Sequence, residues 1–196
     1  MINNAKWIWA ETPVQKNQYA DFIFDVNILN NDSPAVFQIC AESEYAVWLN
    51  GEFIGCGQYD DYPDNRHFDT YTFKMKMGKN RLFITAYHQG ETSMQYYPGN
   101  RGICFALSVE NKVILSNEDI LSAISQTYIS GDNFKITEQL GYGYEYSAVN
   151  ECGCKMRGDI PERFKKSVLG KAPDKLEPRP VQKLRIKERC KSKIVD

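Results

Sequence analysis

The sequence predicts an all-β protein, an antiparallel β-sandwich. Three observations predict it: residues 1–115 alternate apolar and polar at period two, Gly, Asn, Asp or Pro breaks the alternation every eight to twelve residues, and Asn50-Gly51 separates two such runs at the spacing of a two-residue hairpin. Of 196 residues, 42% are hydrophobic and 13% aromatic, enough apolar surface for a packed core and too much for a disordered or collagen-like chain. The elements follow in order. Phe22, Phe24, Val26 and Ile28 alternate with Ile23, Asp25 and Asn27, and Phe37, Ile39 and Ala41 continue the pattern. Asn-Gly supplies the two positive φ angles of a type I′ turn, so residues 45–49 and 52–55 pair. Residues 66–73, 81–88, 103–109 and 112–116 supply further strands, with 78–80 as the turn before Arg81. Residues 117–124 place Leu121 and Ile124 at helical spacing, which supports one helical turn. Residues 140–148 read as another strand, with Tyr142, Tyr144 and Tyr146 on one side.

Charge divides the chain. Residues 155–196 carry fourteen Lys/Arg against six Asp/Glu, a balance of +8, leaving ten against nineteen, or −9, before them. Pro161, Pro173, Pro178 and Pro180 and the scarcity of aromatics argue against a nucleic-acid surface. The reading is a β-sandwich over residues 1–150 and an extended, basic, Pro-containing linker or strap over 151–196, laid along an acidic body. No apolar run approaches the roughly 20 residues that cross a bilayer, and no signal peptide is visible at the start, so no membrane and a cytoplasmic location are expected. Cysteines at 40, 56, 104, 152, 154 and 190 match neither a disulfide framework nor paired zinc knuckles. All six are expected as free thiols, although Cys152-Gly153-Cys154 has the spacing of a redox couple or a soft-metal pair.

The order of several motifs resembles the N-terminal β-sandwich region of bacterial α-L-rhamnosidases: KWIWA at 6–10, YAVWLNGEFIG at 45–55, FDTYTF at 68–73, GKNRLFI at 78–84, YPGNRGI at 97–103 and LEPRPV at 176–181. The resemblance implies a jelly-roll sandwich of the galactose-binding-like kind that supports a catalytic domain of the same polypeptide. In such proteins catalysis belongs to a separate helical toroid, so the resemblance carries over no catalytic residue. Trp7, Trp9 and Trp48 are expected in the core or at an interface.

No GxSxG, HExxH or P-loop motif is present. Asp60, Asp61, Asp64 and Asp69 are dense enough for a glycosidase acid pair, but a solvated loop or a cation site gives the same pattern. Binding remains. Sugars are held by aromatic faces and a few fixed polar groups, and two loops offer both: Tyr59, Asp61, Tyr62, Asn65 and Arg66 in the first, Gln95, Tyr96, Tyr97 and Arg101 in the second, with Asn100 beside them. Asp60, Asp61, Asp64 and Asn65 carry the oxygen ligands of a calcium ion without the spacing of a calcium loop, so no cofactor is expected, with Ca²⁺ as the alternative. The function expected is a non-catalytic accessory or carbohydrate-binding module of a rhamnosidase-like glycoside hydrolase, its partner a rhamnose- or galactose-like carbohydrate. A protein-interaction domain docking through its basic strap, with no sugar ligand, is the alternative.

Overall fold

Alternating Phe, Ile and Val residues leave each early strand with one face to bury, and two sheets meet over that need. A computed structural model describes residues 1–183 except Asp132 and Arg157. Among the described residues the strands are β1 (Ile8–Trp9), β2 (Gln18–Ile28), β3 (Ser33–Ala41), β4 (Glu44–Leu49), β5 (Glu52–Gly57), β6 (Asn65–Met75), β7 (Gly78–His88), β8 (Ile103–Val109), β9 (Lys112–Leu115), β10 (Leu121–Ile124), β11 (Lys135–Thr137), β12 (Gly141–Tyr142), β13 (Lys165–Lys166), β14 (Val168–Leu169) and β15 (Lys175–Pro178). One sheet has the order β14-β1-β8-β3-β6-β15, with β9 also on β8. The other runs β13-β10-β2-β7-β4-β5, and β11 and β12 form a separate ribbon. Every pairing is antiparallel except β15 with β6, which is parallel. The all-β sandwich is as expected.

Between the sheets Phe22, Phe24, Leu82 and Ile84 meet Phe37, Ile39, Phe105 and Leu107, all buried. Phe24 of β2 stacks on Phe105 of β8 at 4.8 Å between ring centroids, tying one sheet to the other. Each such ring contributes roughly 1.5–3 kcal/mol of apolar burial. The β4–β5 hairpin turns at Asn50 and Gly51, whose φ angles of 52° and 83° are the left-handed pair expected.

Both outer faces are partly covered, which is why β2 and β7 are buried almost throughout instead of on alternate residues. Ile2 and Trp7 cover Cys40, Cys104 and Ala106 on the seven-stranded sheet. Cys152, Cys154 and Phe164 cover Ile23, Phe83 and Ala123 on the six-stranded sheet. Buried Arg81 locks the second cover: it grips Asp25 through two bonds of 2.7 and 2.8 Å and donates to the Gly158 carbonyl at 2.8 Å.

Four expectations need correction. Residues 121–124 are strand β10 and not part of a helical turn; the turn closes earlier, from the Ile120 amide to the Asn117 carbonyl, because the free edge of β2 accepts Leu121 opposite Ile23. The expected strand over 140–148 is reduced to Gly141–Tyr142 and an isolated bridge at Tyr146, and its tyrosines separate: Tyr142 bonds Glu91, while Tyr144 and Tyr146 pack on Tyr128. The turn before β7 falls at 76–77, since Gly78 already pairs with Ile28. Cys152 and Cys154 are joined in a disulfide, because a 3₁₀ turn over Gly153–Lys155 brings their Cα atoms to 5.1 Å; Cys40, Cys56 and Cys104 are free, and Cys190 lies outside the described residues.

The basic segment joins both sheets. Lys165–Lys166 extends the six-stranded sheet beside β10, while Val168–Leu169 and Lys175–Pro178 flank β1 and β6. Its residues 184–196 lie outside the described residues. Trp7 and Trp9 are buried, and Trp48 is half-buried on the outer face under Lys155.

Candidate functional site

β3 ends at Ala41 and the chain turns sharply into β4, which leaves Glu42 at one end of the sandwich beneath the two loops that carry the candidate residues. Sequence reasoning missed Glu42. Its carboxylate is 1% exposed and takes five donors: the His88 ring at 2.6 Å, Ser43 Oγ at 2.6 Å, the Gly99 amide at 2.8 Å, Arg66 at 3.3 Å and the Tyr96 hydroxyl. Burial alone would raise its pKa, but His88, Ser43 and Tyr96 together hold it below the ordinary glutamate value. Gly99 permits this approach, since a Cβ there would stand 3.0 Å from the Arg66 guanidinium.

Arg66, also buried, bridges two acids. It meets Asp61 at 2.8 Å on one side and Glu42 on the other. The second oxygen of Asp61 accepts the His67 amide at 2.6 Å. Burial raises the Asp61 carboxyl in spite of these partners. Both oxygens of Asp61 thus face inward to protein donors. Among the described residues no group of three or more His, Cys, Asp or Glu side chains converges on a metal position.

Above this network lies a hollow of about 250 Å³, lined on its two sides by the loops and at its base by the ends of β4 and β7. Of the residues expected from sequence, Tyr59, Arg66, Gln95 and Tyr96 line it. Glu42, Ser43, Glu44, Gln58, Tyr87 and Gln89 line it too, and were not foreseen. The remaining candidates are placed elsewhere. Asp61 lies beneath the hollow, fixing Arg66. Tyr62 and Tyr97 are exposed and stack on each other at 6.4 Å, outside the lining. Asn65 opens β6 opposite Lys175. Arg101 folds the other way, over the Trp9 ring and onto the carbonyls of Thr12 and Pro13. The Tyr59 ring has the Arg179 guanidinium over its face at 4.9 Å, which leaves its hydroxyl end and edge toward the hollow.

Glu44 stands at the mouth and reaches solvent. Desolvation alone raises its pKa, with no cation among the contributors. The site therefore combines a fixed, charged floor with polar and aromatic walls, the chemistry that orients hydroxyl-rich ligands.

No protein-family model and no curated protein matches the sequence. Solved structures do match. A GH78 family rhamnosidase of Bacillus sp. GL1 superposes with a TM-score of 0.78 at 18% identity, over 91% of this chain and 20% of the enzyme. The chain shares its fold with a segment of α-L-rhamnosidases. The Streptomyces avermitilis α-L-rhamnosidase, solved with L-rhamnose, matches at a TM-score of 0.68 and 21% identity, over 85% of this chain and 17% of the enzyme. A lectin of Pleurotus ostreatus, solved with GalNAc, matches at 0.54 and 15% identity, over 86% of this chain and 42% of the lectin. The likeness expected from the ordered motifs is thus met at the level of fold, and the chain spans about a fifth of the length of the rhamnosidases it matches.

Proposed function

We propose that the chain is a non-catalytic, carbohydrate-binding accessory module of an α-L-rhamnosidase-like glycoside hydrolase, and that the Glu42 hollow holds the sugar. The observation that carries this reading is the hollow itself: a buried anion fixes Tyr96, Arg66 and Gly99 in place before any ligand arrives, so little entropy is lost on binding. Gln89, Gln95 and Asp60 supply donors and acceptors for hydroxyl groups, with Tyr59 and Tyr87 in the walls. The fold shared with rhamnosidases and a lectin supports the same reading.

A binding role is favoured over a catalytic one by the state of Glu42. Glycoside hydrolysis asks one carboxylate to attack or to activate water while a second moves a proton. Five donors saturate Glu42, so it has no lone pair to offer. On this reading the strap that begins at residue 151 is anchored on the sandwich by β13, β14 and β15 and links it to a catalytic domain, and the sugar is held by the protein's own groups without calcium.

Titration calorimetry of the chain with L-rhamnose and with galactose at millimolar concentration tests the reading. Saturable heat with either sugar, lost in Arg66→Ala, is expected. Flat traces with both sugars favour the docking alternative. Turnover of an aryl α-L-rhamnoside by the purified chain that survives removal of contaminants overturns the non-catalytic role.

A further inference from the structure

We propose that the ligand is a neutral oligosaccharide, gripped along a groove that leaves the Glu42 hollow, crosses Glu44 and Tyr87, and continues onto the outer face of the six-stranded sheet. The inference rests on the sugar-binding reading above and deepens it. A second hollow of about 210 Å³ lies on that face, lined by Tyr19, Tyr87, Trp48, Tyr128 and Tyr144 around Glu44. Glu44 and Tyr87 line both hollows, so the two adjoin along a shared wall. Each alone is smaller than the roughly 300–1,000 Å³ of ordinary ligand sites, and together they fall inside that range.

The chemistry changes along the groove as a glycan requires. The first hollow offers charged and amide groups suited to the hydroxyls of one terminal ring. The second is a bank of aromatic rings, where Tyr19 stacks on Tyr87 at 4.5 Å and on Tyr128 at 5.2 Å, with Tyr144 at 6.2 Å from Tyr128 and 69% exposed. Aromatic faces take the C–H side of a pyranose. Trp48 belongs to the apolar cluster in which Cys152, Cys154 and Phe164 cover Ile23 and Phe83, whereas Tyr19, Tyr87, Tyr128 and Tyr144 lie outside that cluster. Glu44 sits where the two hollows join, an acceptor for the hydroxyls of the linking ring that would repel a uronic acid.

The test compares sugars of increasing length on the intact chain by calorimetry: L-rhamnose against α-linked rhamnotriose, and galactose against β-linked galactotriose. The trisaccharide of the series that binds is expected to bind at least about tenfold more tightly than its monosaccharide. Tyr144→Ala, at an exposed position, should return the trisaccharide to within about twofold of the monosaccharide while leaving monosaccharide affinity and the thermal midpoint unchanged. Equal affinity for one and three rings in the parent chain, or equal loss for both in Tyr144→Ala, overturns the extended groove and leaves the sugar-binding reading standing. Silence with all four sugars removes that reading, and the groove with it.

Discussion

Glu42 and Asp69 are carboxylates buried to nearly the same degree, 1% and 2% exposed, and both collect tyrosine hydroxyls and cations, yet one floors an open hollow and the other closes a clamp. The donors to Glu42 come from Ser43 between β3 and β4, from β6, from β7 and from the 89–101 loop, all parts of the sandwich. Asp69, on β6, takes Tyr45 from within the sandwich but its cations, Arg179 and Lys183, from the basic strap. The difference teaches where a buried charge is preorganised and where it is completed by a late arrival. The Glu42 network is whole without the strap; the Asp69 cluster is filled by it.

The largest effect expected from this contrast is at Glu42. Glu42→Ala leaves His88 buried without its carboxylate and Arg66 with Asp61 alone, a loss of about 3–5 kcal/mol, read as a fall in the urea midpoint. Asp69→Asn should cost less, about 1–2 kcal/mol, because Arg179 and Lys183 are partly exposed and can turn to water. It should also speed proteolysis after the strap lysines while leaving sugar binding intact. Equal losses at the two acids would break the comparison.

Acid sharpens it. Burial would raise both carboxyls, but His88 and its neighbours at Glu42, and Arg179 and Lys183 at Asp69, hold both below their ordinary values. Groups depressed in the folded state contribute stability that is fully present above the unfolded carboxylate range, about pH 4, and lost as pH falls through the folded values. Glu42→Gln and Asp69→Asn should each flatten the fall in stability below about pH 4. Asp21 and Asp61, raised by burial, act with the opposite sign and relieve part of that fall as they protonate. Denaturant melts between acid and neutral pH read these slopes.

Smaller still is Tyr96→Phe, which removes one donor to Glu42 and one hydroxyl from the wall of the hollow. A loss of about 1 kcal/mol and a severalfold weaker sugar affinity are expected. Lys166→Ala should be indistinguishable from the parent in melting, since its pair with Asp119 lies wholly in solvent.

Much of the fold was legible because it is local. Period-two alternation marked β2, β3, β6, β7 and β8, and Asn50-Gly51 marked the hairpin. β10 was not, because four residues whose spacing suits a helix were recruited by an open strand edge, a tertiary event. The parallel seat of β15 on β6 likewise depends on a strand more than a hundred positions earlier, as the separation of Arg179 from Asp69, 110 residues, indicates. Within the site, loop composition led to Tyr59, Arg66, Gln95 and Tyr96. Glu42 had no sequence signal beyond an acid closing an apolar strand, since its partners Arg66 and Gly99 lie 24 and 57 residues away. Arg101 was read as a ligand group because composition cannot tell an arginine aimed outward from one folded over Trp9.

The central claim is that the Glu42 hollow, already built in the free protein, is where a sugar ring sits. Backbone amide spectra recorded while L-rhamnose or galactose is added locate the contact directly. Saturable shifts confined to Ser43, Glu44, Gln89, Tyr96 and Gly99, with Lys175 and Arg179 unmoved, are predicted. Unchanged spectra with both sugars, or shifts gathered on the strap, would contradict it.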